Sequence, residues 1–404
     1  MKKGWQTKSL GEVAEVYDGP HATPKTVGTG PIFLGISALR DGVIDLNETR
    51  HVTEEDFRQW TRRVKPQPND VVFSYETRLG QAAIIPEGLE CCLGRRMGLV
   101  RFDEDQVVPR FFLYQYLSPP FSDYLDSKTV RGATVDRISI KEFPSFQILV
   151  PPIPEQHRIV GILDEAFDGL ATATSNAEQN LRNARALFES HVQSVFTKRG
   201  KGWVEKRLEE VLAVQPQNGW SPPAANHANS GTPVLTLSAV TGFVFRPDKI
   251  KFTSAVTDSR ARYWVQNGDL LITRSNTPEL VGHVAIASGI EEPTIYPDLI
   301  MQMNPDPTNA LTEFLYYQMR SPALREEISS RAQGANPTMK KISNGAVRTL
   351  PICVPAIPEQ RRVVAQLDTL ASETQYLESI YRQKLAALEA LKKSLLYQAF
   401  SGEL

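Results

Sequence analysis

The chain has 404 residues, of which 41% are hydrophobic and 23% are charged, and its formal net charge is −1. This length favours two or more domains, and the charge excludes a uniformly basic nucleic-acid-binding protein while leaving room for local basic patches. We expect neither a membrane span nor a signal peptide, because the sequence has no long apolar run and no apolar segment behind its first lysines. Cys91, Cys92 and Cys353 form no metal-binding or disulfide pattern, which favours a cytoplasmic location.

In chain order, the first 150 residues alternate short apolar runs with turns. The runs "DVVFS" at 70–74 and "QAAII" at 81–85 predict strands, and "PRFFLYQYL" at 109–117 predicts a helix. The same texture returns after residue 200, with "DLLIT" at 269–273 and a helical "LTEFLYYQMR" at 311–320. The chain is therefore expected to contain one kind of unit twice.

Aligned landmarks support this duplication. "GWQTKSLGEVAEV" at 4–16 matches "GWVEKRLEEVLAV" at 202–214, and "PPIPEQHRIV" at 151–160 returns as "PAIPEQRRVV" at 355–364. A "GA" pair at 132–133 likewise matches one at 334–335. A unit of about 200 residues is too long for a solenoid repeat, so the pattern indicates two copies of a whole domain with its helix.

Each decapeptide predicts the start of a long helix. Pro154 and Pro358 suit the first helical turn, and Glu155 and Glu359 lie at the positive end of the helix dipole. Apolar or small residues then recur at alternating steps of four and three, which is a heptad pattern, and each helix should be about 65 Å long. The predicted seams are Ile159, Leu163, Phe167, Leu170, Thr174, Ala177, Leu181, Ala184, Phe188 and Val192, and Val363, Leu367, Leu370, Thr374, Leu377, Tyr381, Leu385, Leu388, Leu391 and Leu395.

We therefore predict an α+β protein with a pseudo-twofold internal duplication. Two similar α/β domains, at 1–152 and 200–355, are joined by two long helices, at 153–199 and 356–404, that pack as an antiparallel coiled coil. Such pairing would place the two domains at opposite ends of the helices. The alternative is that each helix covers only its own domain.

The chain resembles the specificity subunit of type I restriction-modification enzymes. The motifs that carry the resemblance are "PPIPEQHRIVGILDEA" and "PAIPEQRRVVAQLDTL", each closing a region that begins "GW…L…EV", together with "GATVDRIS" and "GANPTMKKIS". The resemblance covers the whole chain. It implies two target-recognition domains that read a bipartite, asymmetric site in double-stranded DNA, separated by helical spacer regions. It also implies two methyltransferase subunits docked on the helices, with nuclease and translocase subunits joining them.

The motifs for catalysis are missing or weak, so we predict a non-catalytic chain without a cofactor. No phosphate-binding "GxxxxGK[ST]" loop is present, and S-adenosylmethionine, ATP and Mg are expected in the partner subunits. "SPPF" at 118–121 looks like the base-contacting motif of amino-methyltransferases, but its counterpart "SPAL" at 321–324 lacks the aromatic residue. A turn at a helix end is therefore the preferred interpretation.

DNA binding needs Lys and Arg at phosphates and Arg, Asn, Gln, Ser or Thr at base edges. The favoured loop follows the "DLLIT" strand, where Arg274 and Asn276 could read guanine and adenine, with Arg78 and Thr77 as looser equivalents. Trp220 is a candidate for base contact. The full predicted set is Lys25, Arg62, Arg63, Lys65, Thr77, Arg78, Arg95, Arg96, Arg131, Arg137, Trp220, Arg274, Ser275, Asn276, Lys340 and Lys341, where the last two close the stretch "NPTMKK" at 336–341.

Two further hypotheses concern partners and function. Glu155, Gln156, Glu359 and Gln360 recur together at the helix starts, and we expect them to help dock the methyltransferase subunits. The competing function is a sequence-nonspecific architectural or scaffolding coiled-coil protein, which would require basic domain surfaces. The domains instead carry balanced charges, with 19 basic and 20 acidic residues in 1–154 and 15 and 14 in 200–357.

Overall fold

The computed structural model describes residues 4–132, 135–334 and 338–404. Ala133 and Ala335 of the repeated "GA" pairs, and Asn336 and Pro337 of "NPTMKK", lie outside these residues. The chain forms two compact units, one made of Met1–Glu178 with Gln383–Leu404 and the other of Gln179–Arg382. Each unit thus contains part of both long helices. The boundaries at 152/153 and 355/356 stay predictions about regions of the sequence.

The first unit is a mixed α/β structure with short elements. Its strands are β1 (Gln6–Ser9), β2 (Ala14–Asp18), β3 (Val27–Leu34), β4 (Leu39–Arg40), β5 (Val43–Ile44), β6 (Arg50–His51), β7 (Val71–Ser74), β8 (Ala82–Ile84), β9 (Cys91–Leu93), β10 (Met97–Phe102) and β11 (Gln147–Val150). Its short helices are α1 (Glu54–Trp60), α2 (Pro109–Tyr116) and α3 (Pro119–Lys128), and α4 (Ile153–Lys198) begins in this unit.

The central sheet of the first unit has the antiparallel order β2-β10-β7-β8. A second sheet, β6-β3-β9, contains one parallel pair, β3 with β9. The strands β1 and β11 pair antiparallel and so join the start of the chain to the residues just before α4. Aromatic rings fill the core, where Phe73 stacks on Phe143 with ring centroids 4.2 Å apart.

The second unit repeats this architecture. Its strands are β12 (Val204–Arg207), β13 (Leu212–Asn218), β14 (His227–Ala228), β15 (Thr232–Leu235), β16 (Ile250–Thr253), β17 (Leu270–Thr273), β18 (Ser275–Asn276), β19 (Val284–Ile286), β20 (Ile300–Pro305), β21 (Lys340–Lys341) and β22 (Pro351–Val354). Its helices are α5 (Thr312–Arg320), α6 (Pro322–Arg331), α7 (Asn344–Arg348) and the start of α8 (Ile357–Ser401). The sheet order β13-β20-β17-β19 reproduces that of the first unit, and β12 pairs with β22 as β1 does with β11.

The two long helices pack antiparallel, as the heptad pattern predicts. In the first unit, Ile159 and Leu163 near the start of α4 share a buried cluster with Leu396 and Phe400 near the end of α8. In the second unit, the end of α4 packs on the start of α8 through a cluster that contains Phe188, Val192, Val363 and Leu367. The alternative of two helices that each cover only their own domain is therefore wrong.

Two of the predicted seam positions are corrected by the structure. Leu377 and Leu391 are 41% and 48% exposed, whereas the Glu378 side chain is only 17% exposed. An α-helix drifts by about 20° per heptad against a 3.5-residue repeat, so the inward face moves by one residue over a helix of this length. Glu378 then faces α4, where it forms an ion pair of 3.1 Å with Arg185.

The "SPPF" motif follows the end of α2 and starts α3, so the predicted turn at a helix end is present at Ser118 only, and the other three residues are helical. Ser118 caps α3 by accepting a hydrogen bond from the backbone N–H of Phe121, and the two prolines lie in the first turn. The Phe121 ring is buried against Phe112 and Tyr116, so it is not available to stack on a base.

No helix among the described residues is both long and apolar enough to cross a membrane. Those residues also contain no group of three or more His, Cys, Asp or Glu side chains placed to hold a metal ion.

Candidate nucleic-acid interface

In the first unit, the loop after β7 meets a second predicted DNA-binding stretch. The backbone N–H of Ile138 donates to the carbonyl of Tyr75, that of Thr77 donates to Asp136, and Glu76 forms an isolated bridge with Arg137. The strand end thus brings residues 75–77 and 136–138 together, although the two stretches are distant in sequence.

The second unit makes the same junction at the end of β17. The strand β18 pairs with β21, with Ser275 opposite Lys341 and Asn276 opposite Lys340. The backbone N–H of Ile342 donates to the carbonyl of Arg274, as that of Ile138 does to Tyr75. The predicted residues after "DLLIT" and before "KIS" are therefore neighbours.

Two residues of the first junction have a backbone conformation that side chains rarely adopt. Thr77 has φ of +71° and Arg96 has φ of +72°. The guanidinium of Arg96 donates to the Thr77 hydroxyl at 3.1 Å and lies 3.1 Å from the Glu76 carboxylate. Such strain costs on the order of 1–3 kcal/mol per residue and clusters at functional sites. These contacts hold Arg96 in one place at the loop.

Several predicted DNA-binding cations already have partners within the chain. Arg78 donates to the carbonyls of Ile36 and Ser37, and Arg63 donates to that of Asp18. The remaining paired cations are Lys65 with Glu90, Arg131 with Asp126 and Asp136, and Lys340 with the carbonyl of Gly334. These contacts favour a role for the five side chains in shaping the loops.

Other predicted cations are exposed and unpaired. Within the described part of the chain, no residue forms a hydrogen bond or ion pair with the charged groups of five of these cations. The five are Lys25, Arg62, Arg95, Arg137 and Lys341. Their charges are free to meet phosphates or base edges. Ser275, by contrast, is only 2% exposed, so the structure gives its side chain a packing role.

Trp220 stacks on Tyr263, with ring centroids 5.3 Å apart and an interplanar angle of 28°. Its backbone N–H donates to the carbonyl of Tyr296 at 2.9 Å. The preceding Gly219 approaches so closely that an added Cβ would lie 1.9 Å from the same carbonyl oxygen. Glycine is therefore required there, and the neighbouring Trp220 is half-buried.

Arg274 belongs to a polar cluster that the sequence did not predict. Its Nη1 lies 3.9 Å from the Asp298 carboxylate, and Asp298 accepts a hydrogen bond from the Ser221 hydroxyl. Asn276 lies beside the cluster and donates weakly to Thr241 at 3.4 Å, while its own oxygen accepts from the backbone of Thr277. Asp298 and Ser221 are distant from Arg274 in sequence, so only the folded structure reveals that they meet it.

The first unit has a corresponding cluster around Asp18. Its carboxylate accepts from the Tyr75 hydroxyl at 2.9 Å and lies 2.9 Å from His21. Burial, followed by the hydrogen bond to Asp18, raises the pKa of Tyr75 well above its ordinary value, so the phenol stays a neutral donor. Since Ser74 and Thr273 occupy matching ladder positions, the true counterparts of Arg274 and Asn276 are Tyr75 and Thr77.

The residues at the helix starts divide into two groups. Gln156 and Gln360 are fully buried, and each accepts from one backbone N–H and donates to two carbonyls. Glu155 and Glu359 are partly exposed and pair with Arg158 and Arg362 one turn later. The Arg362 hydrogen bonds lower the pKa of Glu359. An intramolecular role thus accounts for the glutamines, while the two Glu–Arg pairs lie partly exposed at the helix starts.

Comparisons with known proteins point to one family. Residues 2–181 and residues 200–389 each match the family model described as "Type I restriction modification DNA specificity domain". The chain is 25% identical over 356 residues to the EcoKI specificity subunit of Escherichia coli K12, covering 84% of this chain and 76% of the relative. It is 23% identical over 362 residues to the StySPI specificity subunit of Salmonella potsdam, with the same coverage.

The fold also matches solved structures along its whole length. The TM-score is 0.78 with a chain described under "Structural basis underlying complex assembly and conformational transition of the type I R-M system", at 21% identity and coverage of 100% and 99% of the two chains. It is 0.57 with the HsdS subunit from Thermoanaerobacter tengcongensis, at 21% identity and coverage of 100% and 98%. The predicted duplicated α+β fold is confirmed.

Proposed function

Because the chain belongs to the type I restriction-modification DNA specificity family, we propose that it is the DNA-recognition subunit of such a complex and reads a bipartite, asymmetric target. Each unit contacts one half-site. Since the two units share a backbone and differ in polar side chains, the two half-sites differ in sequence.

The observation that carries this proposal is the junction at the ends of β7 and β17. Both units bring the loop after this strand against the loop before the last strand, and both junctions carry unpaired cations, Arg137 in one unit and Lys341 in the other. Cations supply phosphate contacts, and the adjoining Thr, Asn and Arg side chains supply hydrogen-bonding groups for base edges.

The polar candidates differ between the two units at matching positions. Thr77 in the first unit corresponds to Asn276 in the second, and Tyr75 corresponds to Arg274. An asparagine fork prefers adenine and an arginine fork prefers guanine, whereas Thr and Tyr have neither geometry. This difference supports recognition of two unlike sequences and disfavours sequence-nonspecific binding.

The partners we propose are double-stranded DNA, two methyltransferase subunits, and nuclease and translocase subunits, all in the cytoplasm. The Glu155–Arg158 and Glu359–Arg362 pairs, at equivalent helix starts, are the proposed docking points for the two methyltransferase subunits. Catalysis, and with it the binding of S-adenosylmethionine, ATP and Mg, is assigned to the partners. This chain supplies recognition only.

The first test is to express the chain with its methyltransferase subunit in a host that lacks other DNA modification. Methylated bases are then mapped across the genome by single-molecule sequencing. We expect methylation at a split, asymmetric motif with a fixed gap between its halves. A soluble, assembled complex that methylates no defined motif would contradict the proposed function.

The Arg274→Ala variant tests the assignment of one half-site to each unit. Loss of a good bidentate contact costs about 1–3 kcal/mol of discrimination, so the variant should relax one position of one half-site. The other half-site should keep its sequence. Simultaneous changes in both halves would show that the units do not read separately.

A further inference from the structure

The two units carry opposite charges at one matching backbone position. The N–H of Tyr75 donates to the carbonyl of Arg96, and the N–H of Arg274 donates to that of Leu299. Likewise, the N–H of Gly19 donates to Met97, and that of Gly219 donates to Ile300. When the two units are aligned by these equivalent bonds, Arg96 corresponds to Leu299. The residues just before them, Arg95 and Asp298, therefore correspond to each other.

Both side chains are open to a ligand. Arg95 is exposed, and no described residue forms an ion pair or hydrogen bond with its guanidinium. The Asp298 side chain is 48% exposed, and only one of its two carboxylate oxygens accepts the Ser221 hydroxyl. The other oxygen lies 3.9 Å from Arg274, which is beyond hydrogen-bonding distance.

A carboxylate at a DNA-binding surface is repelled by phosphates and needs a donor to offset this repulsion. In the major groove, the donors are the exocyclic amines of cytosine and adenine. A C·G pair presents the cytosine amine beside the O6 and N7 acceptors of guanine, so an Asp next to an Arg matches both bases of that pair. Asp298 and Arg274 form such a combination.

We propose that Asp298 and Arg95 are specificity-determining residues at matching points of the two half-sites. Asp298 accepts a hydrogen bond from the amine of cytosine while Arg274 donates to the guanine paired with it. At the matching position of the first unit, the side chain is the cation Arg95 instead of a carboxylate, and it donates to a guanine in the other half-site. This inference rests on the proposed function and adds to it the class of base that each unit selects.

The test uses the Asp298→Asn variant in the assembled complex with the methyltransferase subunit. Asparagine keeps an acceptor for Ser221 but loses the charge and gains a donor, so a residue that only holds the loop would leave the motif unchanged. We expect discrimination at one position of one half-site to fall about tenfold or more. The matched control is Glu291→Gln, which removes an exposed carboxylate next to Ile290, at the opposite end of β17 from Asp298.

The Arg95→Gln variant is an independent test in the first unit, where this side chain is exposed and no described residue forms an ion pair or hydrogen bond with its guanidinium. Glutamine prefers adenine, so we expect guanine to be replaced or relaxed at one position of the other half-site only. An unchanged motif in either variant, with the complex assembled, would overturn the assignment of that residue. A native chain that directs no motif at all would instead refute the proposed function, and the two failures are thereby distinct.

Discussion

At the scale of single residues, the duplication keeps structural side chains and exchanges their partners. Asp70 and Asp269 occupy matching positions, and each accepts from a backbone N–H three residues earlier, of Gln67 or Gln266. Asp70 pairs with Arg101, whereas Asp269 accepts from the amide of Asn304 at the equivalent strand position. A buried carboxylate with a donor is thus needed at this point, but the donor's charge is not.

His283 should make the stability of the second unit depend on pH. Its ring stacks on Phe243 at 4.1 Å, and its Nδ1 accepts from the backbone N–H of Gly242. Burial, then the positive charge of Arg325, lowers the pKa of His283 to about 4. The unfolded chain therefore binds a proton below pH 6.5 that the folded chain does not, so the stabilisation is complete above pH 6.5 and is lost as the pH falls towards about 4.

Between pH 7 and pH 5, the folded chain should lose about 2 kcal/mol of unfolding free energy through His283. The His283→Asn variant keeps an oxygen acceptor for Gly242 but does not titrate in this range. Urea unfolding of both proteins at the two pH values measures the difference. An equal loss in the variant and the native chain would show that His283 does not cause it.

At the scale of elements, one buried glutamine at the start of each long helix forms hydrogen bonds with the backbone of the recognition domain before it. In the first unit, Gln156 accepts from the N–H of Val108 at 2.8 Å and donates to Gln106 and Pro151. Gln360 makes the same three contacts with Leu311, Asn309 and Pro355. A little over two helical turns later, Asp164 and Asp368 accept from the hydroxyls of Tyr114 and Tyr317.

Replacing Gln360 with alanine should destabilise the second unit by about 2–3 kcal/mol, because a buried N–H and two carbonyls lose their partner. The matched control is Gln375→Ala on the same helix, where the side chain is exposed. Thermal and urea unfolding of the two variants measure the effect. Equal stabilities would show that water replaces the glutamine without cost.

The elements themselves could be predicted because their signals are local. Proline at the helix start, the change from short apolar runs to a heptad pattern, and the repeated landmarks locate α4 and α8 within a few residues. The positions of Leu377 and Leu391 could not be predicted, because the drift of the seam accumulates along the helix. The ion pairs that occupy Arg131 and Lys65 also depend on residues brought near by folding.

At the scale of the whole molecule, the sequence predicts the duplicated order, and the structure adds the register that makes the two units comparable. The loops after β7 and β17 were identified from sequence, but the equivalence of Arg95 with Asp298 follows only from backbone hydrogen bonds. The number of residues that separates matching positions of the two repeats varies by a few along the chain, so sequence comparison alone does not align these loops. Divergent polar residues on a shared backbone are what two different half-sites require.

The assembly with methyltransferase subunits should depend on both helix starts together. The double variant Glu155→Lys, Glu359→Lys puts a lysine beside Arg158 at one helix start and beside Arg362 at the other. Each helix start then presents two positive charges to the methyltransferase subunit in place of an ion pair. We expect the affinity for the methyltransferase subunit to fall about tenfold or more, because charge pairs truncated at an interface leave an uncompensated charge. Co-purification and calorimetric titration of the intact chain measure this change.

The matched control is Glu165→Lys, Glu389→Lys, which makes the same change of net charge at exposed positions on α4 and α8. Thermal unfolding of both double variants separates weaker docking from weaker helix starts, since a lysine in the first helical turn also opposes the helix dipole. If the two double variants bind the methyltransferase equally well, the helix starts are structural only. If the helix-start variant alone loses binding while remaining folded, the repeated "PEQ" serves two roles, with glutamine holding the domain and glutamate meeting the partner.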